Sequence, residues 1–244
     1  MRIGVYIDGY NLYYGGRHHC GRGTAGWRWL DVRRVVENIV HTQGSWPSPV
    51  VDRVVYCTAR MDASTNESGA FGQDIHLKAL TAAGSVDHIE YGNYVARTKK
   101  ALLATADPQT KRPVVHTSHW PVMVKVRTGT DVREAQFMVQ YLHLEEKGSD
   151  VNVATHLLKD VLSQMVGAAV VVSNDSDLAL PVKTARLSVP VETLNPRGDH
   201  TAGALRGQKS DGVGRHWWWQ LRPTAWKKNQ LPEVVGNQRR PNGW

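Results

Sequence analysis

Cysteine is scarce in this chain: Cys20 and Cys57 are the only thiols in 244 residues. One disulfide at most can form, and a core of this size does not need that staple, so a reducing cytoplasm is the expected location. No run approaches the roughly 18 to 20 apolar residues of a membrane span. Met1-Arg2-Ile3 leads straight into a strand pattern without the apolar stretch of a signal peptide, so neither a membrane partner nor export is expected. Internal repeats and low-complexity tracts are also missing. Gly21-Arg22-Gly23 has neither the Lys-Ser/Thr of a P-loop nor the spacing of a dinucleotide loop, which disfavours a nucleotide cofactor. His18-His19-Cys20 finds no second Cys/His pair at zinc spacing and reads as loop.

What the chain does have is an average globular composition, 41% hydrophobic and 21% charged, with a net charge of +8. The excess charge is local. Residues 92–125 hold six Lys/Arg against one acid and residues 207–244 hold seven against two, whereas the remainder is slightly acidic. Phosphate is the commonest partner of such an arrangement, so RNA, single-stranded or structured, is the expected partner, with Lys99, Lys100, Lys111 and Arg112 as candidate contacts. The second basic segment carries five of the nine tryptophans, and Trp217, Trp218 and Trp219 are candidate base-stacking residues. Three consecutive indoles cannot all face one way in a strand or a helix, which predicts at least one buried and at least one exposed. Whether the chain forms a homo-oligomer is left open.

Apolar runs at residues 2–7, 53–59, 86–91, 122–126 and 168–173, with a weaker one at 188–192, alternate with helical patterns at 30–40, 72–83 and 150–165. This alternation predicts an α/β fold, a mostly parallel sheet covered by helices on both faces. Residues 92–120 read as a basic insertion or long loop. The division expected is a domain over 1–205 and a basic, Trp-rich extension over 206–244.

In an open α/β sheet the ligand sits outside the carboxyl ends of the strands, and here the residues just past the strand runs are acidic. Asp8 follows Arg2 to Ile7, Asp175 and Asp177 follow Ala168 to Ser173, and Asp150 opens the helical pattern of 150–165. Each alone reads as a turn or a helix cap. Together, without an evident Arg partner, they repel one another unless a cation neutralises them, and a hard divalent ion, Mg²⁺ or Mn²⁺, suits oxygen-only donors. Asn11, one turn beyond Asp8, offers a neutral oxygen. A covalent phosphoryl-transfer site is disfavoured because Tyr10 stands where the second acid would be, and Ser173 and Ser176 have no evident His partner.

Val5 to Gly15 (VYIDGYNLYYG), Glu146 to Leu162 (EKGSDVNVATHLLKDVL) and Val170 to Val182 (VVVSNDSDLALPV) resemble, in order and spacing, the three signature blocks of NYN-domain proteins, a bacterial branch of the PIN-like nucleases. The resemblance spans roughly residues 1–195, and Gln230 to Val235 is similar to the C-terminal segment of some members. It implies a three-layer α/β/α fold and metal-dependent endoribonucleolytic hydrolysis of RNA. Asp8, Asp150, Asp175 and Asp177 would then be the catalytic and metal-binding acids, with Asn11 and Ser173 as polar accessories. A catalytically silent RNA-binding or regulatory module is the alternative. Leu178 and Asn174 stand where many relatives carry Phe and Gly.

Overall fold

The computed structural model describes residues 1–198 and 200–244. The chain runs β1 (Arg2–Asp8), α1 (Gly9–Cys20), α2 (Val32–Gln43), β2 (Val50–Ala59), α3 (Glu67–Ala82), β3 (His88–Leu102), β4 (Ala104–Ala106), β5 (Pro113–Val115), β6 (Met138–Lys147) and α4 (Ser149–Leu162). It continues through β7 (Ala168–Val172), a 3-10 turn (Ser176–Leu178), α5 (Ala179–Ala185), β8 (Val191–Asn195), α6 (Gly203–Arg206), β9 (Trp217–Gln220), α7 (Pro223–Lys228), β10 (Val234–Val235) and β11 (Gln238–Arg239).

Seven strands form the central sheet in the order β6-β3-β2-β1-β7-β8-β9. Pairing is parallel from β3 through to β9. Parallel strands covered on both faces should read as unbroken apolar runs. β7, Ala-Ala-Val-Val-Val, is buried at all five positions. One face of the sheet packs against Val32, Val35, Val36 and Val40 of α2, Leu77 and Leu80 of α3, and the indoles Trp27, Trp29 and Trp226. The other packs against Val153, Leu157 and Val161 of α4 and Val182 and Ala185 of α5. The result is the expected α/β/α layering. No described helix is long and apolar enough to cross a membrane.

Two compact units are present, residues 1–94 with 146–244, and residues 95–145. The first carries the layered core. Residues 206–244 belong to it rather than forming an extension, because β9 pairs with β8 and Trp217, Trp226 and Leu231 are buried in the core. Tertiary pairing overrode the basic, tail-like composition of this segment. Trp217 is buried against Trp46, with ring centroids 5.5 Å apart, whereas Trp219 is 41% exposed. The split of the three indoles is therefore as expected.

The second unit departs from its sequence reading. Residues 92–120 are not a loop throughout: β3 runs on to Leu102, and β4 and β5 form an antiparallel hairpin. The apolar run at 122–126 makes only isolated bridges, His119 to Val122 and Lys125 to Asp131. β6 carries no buried position and so shows no apolar alternation to detect.

One oddity of the core is Glu192, which is fully buried in β8 with both carboxylate oxygens lacking a hydrogen-bond partner among the described residues. Burial pushes its carboxyl well above the usual range, because the charged form would have to give up its hydration. Glu192→Leu should raise stability by about 1 to 3 kcal/mol, since an unsatisfied polar group is replaced by an apolar one of similar size. Chemical denaturation at pH 7 checks this, and a loss of stability would assign Glu192 a partner.

Candidate functional site

β1 is the switch point of the sheet: successive strands proceed from it through β2 and β3 on one side and through β7, β8 and β9 on the other. In open sheets of this topology ligands bind outside the carboxyl end of such a strand. Asp8, the last residue of β1, is buried to 2% exposure there. Helix α1 begins at the next residue, so Asp8-Gly9 is not a free turn. The Asp8 carboxylate accepts hydrogen bonds from the Asn11 backbone N–H at 2.9 Å and from the Ser173 hydroxyl at 3.0 Å. Gly9 is required by close approach: a Cβ there would lie 2.6 Å from the Tyr56 ring.

The segment after β7 is laid over the same spot. Ser173 Oγ accepts from the Asp175 N–H at 3.1 Å, and Asn11 Oδ1 accepts from the Asn174 N–H at 3.2 Å. Asp175 caps the 3-10 turn by accepting from the Asp177 N–H at 3.0 Å. Asn11 and Ser173 thus lock the two strand ends together, as positioning groups. Asp8 and Asp175 both serve as caps, and the charges of both act on Asp150.

Asp150 enters from α4. Gly148, at φ +95°, makes the left-handed turn that starts this helix. Farther along α4, buried Asp160 accepts from the Tyr6 hydroxyl at 3.0 Å and pairs with Arg53 at 2.9 Å, which fastens the helix to β1 and β2. The contrast is informative, because none of Asp8, Asp150, Asp175 or Asp177 has a Lys or Arg ion-pair partner among the described residues.

Their carboxyls feel one another. Burial pushes Asp8 up to about 6, with the charge of Glu146 adding to the rise and the Asn11 and Ser173 hydrogen bonds opposing it. Asp150 is also pushed up to about 6, first by burial and then by the charges of Asp8, Asp175 and Asp177. Glu146, at the end of β6, is raised by burial and by Asp150 and accepts from the Ser149 hydroxyl. The sequence reading missed Glu146. Its only signal was its place four residues before Asp150, and β6 itself was not legible. Cys57, between these acids, is pushed up to about 12 by burial and by Asp8, Glu90 and Asp150, so its thiol is inert.

Among the described residues, no three pocket acids bring carboxylate oxygens within 4.8 Å of one another. The donor set is hard and anionic but widely spaced. Such a donor set would suit a hydrated Mg²⁺ or Mn²⁺, which keeps several waters and takes few direct carboxylates.

The expected RNA contacts are dispersed. Trp218 and Trp219 belong to the first unit, where with His200, Arg206 and Arg222 they line a cleft of about 380 Å³. The Arg206 guanidinium lies 4.7 Å from the centre of the Trp218 ring. Asn174 connects this cleft to the acids: its amide donates to the His200 carbonyl at 3.2 Å and accepts from the Ala202 N–H at 2.8 Å. Buried Trp217 is unavailable for stacking. Lys99, Lys100, Lys111 and Arg112 all lie in the second unit, Lys99 in an ion pair with Glu145 at 3.7 Å and the last two in the β4–β5 turn.

No protein-family model matches the chain. It is 27% identical to the 6-hydroxy-3-succinoylpyridine 3-monooxygenase HspA of Pseudomonas putida, an alignment covering all of this chain and 75% of that protein. A crystal structure of a protein of unknown function from Vibrio parahaemolyticus superposes with a TM-score of 0.44 at 11% identity, covering 90% of this chain and 92% of that one. The expected enzyme class, a metal-dependent ribonuclease, is corrected by the first of these, since the named relative is an oxidoreductase. The physical reason is that an acidic cation site specifies what is neutralised and not which bond is broken.

Proposed function

We propose that the chain is a divalent-cation-dependent protein of oxidoreductase type, acting on an aromatic ring that carries an anionic arm. The observation that carries the cation is that the charges of Asp8, Asp175 and Asp177 all act on Asp150 at the switch point while none of the four has a Lys or Arg ion-pair partner among the described residues. Asp8, Asp150, Asp175 and Asp177 would hold a Mg²⁺ or Mn²⁺ ion there, and its charge would neutralise theirs. The adjoining cleft supports the rest: Trp218 and Trp219 offer aromatic faces, and Arg206 and Arg222 offer charge for a carboxylate. The class of reaction is supported by the relative, whose name specifies monooxygenation of a pyridine bearing a succinoyl arm. In a monooxygenation one atom of O₂ enters the substrate and the other is reduced to water, with two electrons and two protons that an external reduced nicotinamide or flavin and solvent would supply.

A second reading is favoured by the same Trp and Arg side chains: cation-dependent binding of RNA without turnover, base on indole and phosphate on guanidinium. One experiment separates the two. The purified chain is given 6-hydroxy-3-succinoylpyridine, O₂, Mg²⁺ and a reduced nicotinamide or flavin, and in parallel labelled single-stranded RNA. Mg²⁺-dependent oxygen uptake with an oxygenated product is the result expected. RNA binding lost in EDTA, without oxygen uptake, would establish the second reading, and failure of both would remove the proposal.

A further inference from the structure

We propose that His88, Glu90 and His156 form a second metal site, selective for a first-row transition ion such as Zn²⁺ and independent of the acidic pocket and of the function proposed for it. His88 and Glu90 alternate along β3 and so project from the same face of the sheet, opposite Val55 and Cys57 of β2. That is the face covered by α4, which supplies His156. The Nε2 atoms of both imidazoles lie 3.0 Å from the same oxygen, Glu90 Oε2. The two ring centroids are 5.2 Å apart, and all three donor atoms lie within 4.8 Å of one another.

Donors about 2.1 Å from a tetrahedral centre are about 3.4 Å apart, so the three groups need only small side-chain rotations to share an ion. In the metal-free protein the same contacts serve as N–H···O bonds, which pre-position the ligands. Glu90 is in register with Cys57, and Cys57 with Asp8, so the two sites stand two strand spacings apart, roughly 10 Å. Their chemistries differ. Two imidazoles and one carboxylate suit Zn²⁺ or Fe²⁺ and leave open positions for water, whereas the oxygen-only pocket suits Mg²⁺ or Mn²⁺. The His88 side chain is 44% exposed and that of His156 13%, so the site is open to solvent on one side and an ion can enter.

Calorimetric titration of the full chain with ZnCl₂ in excess Mg²⁺ tests this. One Zn²⁺ equivalent with micromolar or tighter affinity is expected. His88→Ala and His156→Ala should each weaken it at least tenfold, and Asp8→Asn should leave it unchanged. With Co²⁺ in place of Zn²⁺, visible absorption bands should appear in the wild type and vanish in both His variants. Because His88 is so exposed, its replacement does not threaten the fold, and circular dichroism verifies that. Zn²⁺ affinity unchanged in the two His variants, lost in Asp8→Asn, or weaker than millimolar would overturn the proposal.

Discussion

Asp8→Asn should weaken Mg²⁺ and Mn²⁺ binding by about 100-fold or more while making the metal-free protein more stable at pH 7. The stability gain follows from the buried carboxyl, which titrates near 6 rather than 3.8. A shift of that size corresponds to roughly 3 kcal/mol held against the charged form. The folded value lies above the unfolded one, so the folded state takes up the proton first as pH falls. The contribution is fully present below about 3.8, declines as pH rises, and is gone above about 6. Without metal the wild type should therefore lose stability relative to Asp8→Asn across that window. The Asn side chain keeps an oxygen to cap α1, so the fold itself should persist. Thermal melts in EDTA from pH 4 to pH 8 measure the difference. Parallel curves for the two proteins would mean that Asp8 is not strained by its charge, and the electrostatic case for a cation would lose its main support.

The second large effect separates the three consecutive indoles. Trp217→Ala should cost about 3 to 5 kcal/mol, because the residue is buried beside Trp46 and belongs to a strand of the central sheet. For a domain of this size that lowers Tm by roughly 6 to 20 °C. Trp219→Ala should change stability by less than about 1 kcal/mol but weaken ligand binding at the cleft by about 1 to 3 kcal/mol. Equal stability losses in both variants would make the cleft a packing defect rather than a binding surface.

How much of this could be read from the residues alone depended on burial. β1 and β7 were legible because strands buried on both faces must be continuously apolar, and the acids that end such runs stand out. α4 was legible from Val153, Leu157 and Val161 on one face. β6 was not, because a strand with no buried position leaves no alternation, and Glu146 was lost with it. β9 was hidden for another reason: Trp217, Trp218 and Trp219 sit in a basic segment whose composition suggested a tail, and only pairing with β8 makes it a sheet edge. The His88–Glu90–His156 cluster joins residues 66 positions apart, a distance over which local pattern carries no information.

The central claim is that the acids at the switch point hold a divalent ion. Anomalous diffraction from crystals equilibrated with Mn²⁺ tests it most directly. A single anomalous peak is predicted at the pocket, with Asp8, Asp150 or Asp175 contributing direct oxygen ligands and waters completing the shell. No peak there at saturating Mn²⁺, with Asp8 still held only by Asn11 and Ser173, would contradict the account.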